Sequence, residues 1–160
     1  MTRSATGALV AEMTSALAGR PGDGVVGIGI DAVDLDRFRT VLDRRPTLAR
    51  RLFTDGERSY ADRAPDPVPR LATRFATKEA VMKALGLGLG AFGFHDVEVV
   101  RSGLDAPTVV LHDAAADASR AAGVTRWHLS LTHTDLVALA AVVAEAPGPT
   151  GMATDDRADR

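Results

Sequence analysis

The chain has 160 residues, of which 46% are hydrophobic and 25% charged, and a formal net charge of -2. That length supports one compact core, so a single globular domain is expected, and the mildly acidic balance excludes a general nucleic-acid binder, whose footprint is strongly basic. With no cysteine the chain forms neither disulfides nor thiolate metal sites, which suits a reducing cytoplasm, and no apolar run approaches the ~20 residues that cross a bilayer.

Taken in order, Leu9, Val10, Met13, Ala16 and Leu17 follow helical spacing between Ser4 and Gly19 and predict an amphipathic helix over 4–18. Arg20 to Gly24 reads as a linker, so residues 1–24 form an extension. Val25 to Ile30 predicts a buried strand that ends at Asp31, followed by a helix carrying Leu35, Phe38, Val41 and Leu42 and stopped near Pro46. Thr54 with Glu57 predicts a capping box on a further short helix, and Pro65, Pro67 and Pro69 a loop. Leu71, Phe75, Met82 and Leu85 line one face of a central helix over about 70–85, closed by Gly86.

Beyond a glycine-rich turn, alternation over 95–100, 108–111, 127–131 and 136–143 predicts four strands, with an Ala-rich helix over about 112–122. From Pro147 the apolar pattern is lost, so 146–160 is expected to be a disordered tail and 25–145 the working domain. Segregated elements and short turns indicate an α+β fold, with a mainly antiparallel sheet packed against the long central helix.

The central helix contains the chain's two lysines, Lys78 and Lys83, against seventeen arginines. Glu79 and Lys83 share a helix face, and an exposed ion pair in that order would support the helix by only about 0.2–0.5 kcal/mol. In so arginine-rich a chain, a compact ammonium beside a carboxylate also suits a phosphate held as a point charge. Asp31, at the end of an apolar strand, needs a partner; it is either a helix cap or, with Glu79, a ligand of a hard cation such as Mg²⁺.

Three ordered blocks, "GIGIDAVDLDRF", "RFATKEAVMKALG" and "WHLSLTHT", resemble the holo-acyl-carrier-protein synthases, the short class of 4'-phosphopantetheinyl transferase. The resemblance spans residues 25–145 and implies Mg²⁺-dependent transfer of phosphopantetheine from coenzyme A to a serine of an apo acyl carrier protein. It also implies release of adenosine 3',5'-bisphosphate, the 4'-phosphopantetheinyl transferase fold, and a homotrimer with active sites between subunits. By position, Asp31 and Glu79 match the metal carboxylates and Lys83 a lysine near the transferred phosphate. Arg74, Lys78 and His133 match positions around coenzyme A, and Arg37 matches a carrier-docking arginine. Glu79, a metal-bound water or, more weakly, His133 is expected to take the serine proton. Many members carry an acid where this chain has Thr134.

Arg37, Arg39, Arg44 and Arg45, with Arg50 and Arg51, form a basic stretch that is either a solvated face or an electrostatic dock for an acidic carrier. Whether that carrier serves fatty-acid, polyketide or peptide synthesis is not written in the sequence. Two other functions fit the same residues: a non-catalytic coenzyme A or carrier-protein binding module of this fold, and an Mg²⁺-dependent phosphohydrolase with water as nucleophile.

Overall fold

A computed structural model describes residues 24–103 and 105–147; the helix expected over 4–18, the extension's first 23 residues and the tail beyond 147 lie outside the described residues. The described chain runs β1 (Val25–Asp34), α1 (Leu35–Arg44), α2 (Leu48–Leu52), α3 (Asp55–Ala61), α4 (Val68–Ala84) and a 3₁₀ turn (Phe94–Asp96). It continues through β2 (Val97–Val100), β3 (Thr108–Leu111), α5 (Asp113–Ala121), β4 (Arg126–His133) and β5 (Val137–Glu145). The fold is α+β, with one antiparallel sheet in the order β1-β5-β4 and a separate antiparallel hairpin, β2-β3.

Helix α4 lies across the three-stranded sheet because the strand faces beneath it are small. Ala138, Ala140, Val142 and Ala144 of β5 are fully buried there, beside Gly27 and Gly29 of β1. A Cβ on Gly29 would stand 1.8 Å from the Ala80 carbonyl oxygen, and one on Gly27 would stand 1.9 Å from that of Ala84. Helix backbone therefore occupies the space of two missing side chains. Since alternate strand residues share a face, Asp31 follows Gly27 and Gly29 on the side that meets α4.

The helix begins with Pro69 in its first turn, where a missing N–H costs nothing. It ends in a Schellman cap: Gly86, at φ 69°, donates to the Lys83 carbonyl and Leu87 to that of Met82. Lys83 thus sits in the last turn, held in register with β1.

Strand β1 continues through Asp31 to Asp34, so the expected strand end and the helix-cap reading of Asp31 are both corrected. The cap is Asp34, whose carboxylate accepts the Arg37 N–H at 2.8 Å. Asp31 stays in the strand, opposite Ala140, because a tertiary partner satisfies its charge there. The first of the four later strands is also shorter than expected, residues 94–96 forming a 3₁₀ turn instead.

The capping box at Thr54 is present, and its glutamate has a second role. Glu57 Oε2 accepts the Thr54 N–H at 3.1 Å and pairs with Lys78 Nζ at 2.8 Å, while Oε1 accepts the Val99 N–H at 3.0 Å. Lys78 completes its three donors on the carbonyls of Phe94, at 2.7 Å, and Val97. Both side chains are fully buried. This pair fastens α3, α4, the 3₁₀ turn and β2 together, and full satisfaction of its donors and acceptors makes its burial tolerable.

Candidate active site

Asp31, Glu79 and Lys83 meet where β1 crosses α4. Lys83 Nζ donates to Asp31 Oδ1 at 2.7 Å and to the Ile30 carbonyl at 3.1 Å. The lysine therefore reaches across to the sheet instead of lying along the helix against Glu79, as an isolated i,i+4 pair would. Asp31 and Glu79 open into one cavity of about 500 Å³, together with Asp34, Arg37 and an apolar wall that includes Val33, Phe38, Leu52 and Phe75.

The two acids perturb one another. Burial raises the Glu79 carboxyl to about 7, and the neighbouring Asp31 charge adds to the rise while Lys83 opposes it. Burial also lifts Asp31 above its ordinary value, although the hydrogen bond and charge of Lys83 pull the other way. One ammonium is thus insufficient for two carboxylates at neutral pH, and the pair favours further positive charge.

This donor set fits a magnesium ion, which commonly takes one or two protein carboxylates and fills its remaining positions with water and substrate phosphates. Among the described residues no cluster of three or more histidine or acidic side chains is gathered for a metal. A dedicated all-protein cage is not what these residues offer.

Arg74 and His133 lie elsewhere. They line a second cavity, of about 450 Å³, with Tyr60, Arg70, Arg101 and Thr132. His133 is exposed at the end of β4, whereas Arg74 is only 3% exposed, and burial pushes its guanidinium below the ordinary value. No acidic residue lines this cavity. Tyr60, Arg70 and Arg101 were not singled out from sequence. Arg70 and Arg74 did leave a trace, since like charges at i,i+4 destabilise a helix and call for a reason.

Lys78 was expected beside coenzyme A, but the structure turns it inward onto Glu57 with no exposed side-chain surface. Five positions separate it from Lys83, about 140° around the helix, so one lysine meets the acid pair and the other the core. On α1, Arg37 stands at the rim of the acidic cavity. Arg39 is engaged by Asp66 at 2.6 Å, and Arg44 and Arg45 are exposed at the helix end. Thr134 closes the β4–β5 turn, its hydroxyl accepting the N–H groups of Leu136 and Val137, both at 3.2 Å.

A family model described as the 4'-phosphopantetheinyl transferase superfamily matches residues 27–139, a span that contains both cavities' charged residues. The chain belongs to that family. A holo-[acyl-carrier-protein] synthase of Frankia alni is 48% identical over 122 residues, covering 76% of this chain and 98% of the relative.

Solved structures in the same family agree. The Neisseria meningitidis holo-[acyl-carrier-protein] synthase superposes with a TM-score of 0.69 at 34% identity, over 76% of this chain and 98% of that one. The Bacillus anthracis enzyme, solved in complex with CoA (3',5'-ADP), gives a TM-score of 0.64 at 32% identity, over 77% and 98%. Among the described residues no helix is long and apolar enough to cross a membrane.

Proposed function

We propose that the chain transfers the 4'-phosphopantetheine group of coenzyme A to a serine of an apo acyl carrier protein, with Mg²⁺, releasing adenosine 3',5'-bisphosphate. The observation that carries this reading is the shared cavity of Asp31 and Glu79, with Lys83 bonded to the first acid. The relatives that are holo-[acyl-carrier-protein] synthases, and the CoA complex of one of them, support the same reading.

Held by Asp31 and Glu79, the ion would supply charge neutralisation on the diphosphate. Lys83, held on Asp31, supplies an ammonium for the non-bridging oxygens of the transferred group. The serine oxygen attacks the phosphorus that bears pantetheine, and the bond from that phosphorus to the bridging diphosphate oxygen breaks. Glu79 or a water held on the ion would accept the serine proton. His133 lines the other cavity.

The apolar wall of Val33, Phe38, Leu52 and Phe75 limits water beside the acids, which favours transfer to a carrier over hydrolysis. Arg37, Arg44 and Arg45 extend from the rim along α1 and offer an acidic carrier a docking face; Arg39, bound to Asp66, contributes less.

Assembly belongs to the same proposal. The sheet face opposite α4 presents Val26, Ile28, Leu139, Ala141 and Val143, an apolar strip on neighbouring strands, and a second copy of the chain fits such a surface. We assign the complete site to two neighbouring copies of a homotrimer, the acid pair from one and the arginine-lined cavity from the next.

Intact-mass measurement of an apo carrier protein incubated with coenzyme A and Mg²⁺ tests the reading. A gain of one phosphopantetheine is expected. Binding without modification would leave a binding module, and breakdown of coenzyme A without carrier modification would leave a phosphohydrolase.

A further inference from the structure

The second cavity is built around the chain's single tyrosine. Tyr60 leaves α3 with two guanidinium groups over its ring, that of Arg74 at 4.2 Å from the ring centroid and that of Arg70 at 4.8 Å. Its hydroxyl accepts from Arg101 at 3.4 Å, and its own backbone carbonyl accepts from Arg70 at 2.9 Å. Three arginines from two segments are therefore gathered on one residue.

Such a gathering is costly unless something offsets it. Like charges repel, and the ring faces of Tyr60 return only a modest attraction per contact. Arg74 adds a second cost: it is almost wholly buried, its Nε has no hydrogen-bond partner, and no carboxylate lies within ion-pair distance among the described residues. A nearly buried guanidinium that lines a cavity without acidic residues, and that has no carboxylate partner, is arranged for an anion. His133, across the same cavity, adds another donor position.

We propose that Tyr60 is a positioning residue for phosphate recognition: its ring holds Arg70 and Arg74, and its hydroxyl Arg101, in the geometry that receives a terminal phosphate monoester of the substrate. The inference rests on the coenzyme A reading above and deepens it. Coenzyme A carries a diphosphate and one phosphate monoester, on the 3' position of its ribose. The diphosphate belongs with the acid pair and Lys83, where the reacting phosphorus must lie, so the monoester is the remaining anion for the arginine-lined cavity. Tyr60 need not touch the phosphate, since its effect passes through the guanidinium groups it orients.

Steady-state transfer with coenzyme A and with 3'-dephospho-coenzyme A, each with Mg²⁺ and an apo carrier, tests this. Tyr60→Leu should raise KM for coenzyme A by about tenfold with kcat little changed, the loss of two cation–π braces and their alignment. It should leave KM for the dephospho substrate within about twofold, because that substrate never used the braced arginines. Tyr60→Phe, which keeps the ring and loses only the long hydroxyl contact, should retain KM for coenzyme A within about threefold of wild type.

Should Tyr60→Leu not fold, calorimetric binding of adenosine 3',5'-bisphosphate and of adenosine 5'-monophosphate to wild type and Tyr60→Phe decides. Preference for the bisphosphate in both proteins is expected; loss of that preference in Tyr60→Phe, or its absence from wild type, overturns the proposal. Equal KM effects of Tyr60→Leu on both substrates, or an effect on kcat alone, also overturn it. If wild type modifies no carrier at all, the transferase reading fails. Transfer that is indifferent to the 3'-phosphate removes only the role given to Tyr60.

Discussion

Replacing Gly29 with alanine puts a methyl group where the structure has helix backbone. The new Cβ would fall 1.8 Å from the Ala80 carbonyl oxygen, 2.7 Å from its carbon and 3.0 Å from the Ala84 nitrogen. None of these atoms belongs to a side chain that could rotate away. Restoring an ordinary separation of about 3.4 Å requires α4 and β1 to part by roughly 1.5 Å. Overpacked cores lose about 1–3 kcal/mol, and a clash with helix backbone, which cannot rotate away, belongs at or beyond the top of that range.

A loss of about 3 kcal/mol lowers the melting temperature of a domain this size by about 10 °C. The same displacement moves Glu79 and Lys83 away from Asp31, and a misplacement of about 1 Å can cost ~10²-fold in rate. Urea denaturation followed by carrier modification at a temperature where the variant is folded measures both effects. Gly88→Ala, with nothing within 4 Å of its added Cβ, is the control and should be close to neutral. If Gly29→Ala melts within about 2 °C of wild type or transfers at the wild-type rate, the close approach of α4 to β1 does not set the site.

Lys78→Met leaves Glu57 buried without its cation and should cost about 3–5 kcal/mol in denaturant unfolding, with Glu57→Gln restoring part of the loss in the double variant. KM for coenzyme A should stay unchanged in folded Lys78→Met; a tenfold rise at unchanged stability would return this lysine to the substrate. Glu79 gives a pH signature. Its folded-state value of about 7 exceeds its ordinary 4.5, so the folded protein holds the extra proton, and the stability tied to it, present below pH 4.5, is lost as pH rises through about 7. Magnesium should therefore raise the melting temperature more at pH 8 than at pH 5, and Glu79→Gln should lose both this shift and transfer activity; equal shifts at both pH values would argue against the acid pair as ligands. Finally, inactive Glu79→Gln and Arg74→Ala, the latter with a raised KM for coenzyme A, mixed at low coenzyme A and allowed to exchange subunits, should transfer faster than either alone. No recovery despite mixed assemblies would place both cavities' work within one chain.

The elements were largely legible in sequence because each rests on local physics. The apolar face of α4, the Thr54–Glu57 capping box and the strand alternation near the C-terminus need only neighbours within a few residues. The errors fall where distant groups decide. β1 was expected to stop at Asp31 because a charge ends an apolar run, yet Lys83, 52 positions away, satisfies that charge inside the strand. Glu57 was legible as a cap but not as the counter-ion of Lys78, since the two meet only once α3 packs on α4.

Sequence alone established the inventory: two acids, two lysines, a glycine-punctuated strand and a capped helix, in blocks that mark the family. Tertiary structure decided how that inventory is divided. Packing of α4 on Gly27 and Gly29 fixes the helix's rotation, and rotation determines which lysine meets Asp31 and which enters the core. A one-dimensional pattern gives angular spacing around a helix, but the zero of that angle is set by the surface on which the helix lies.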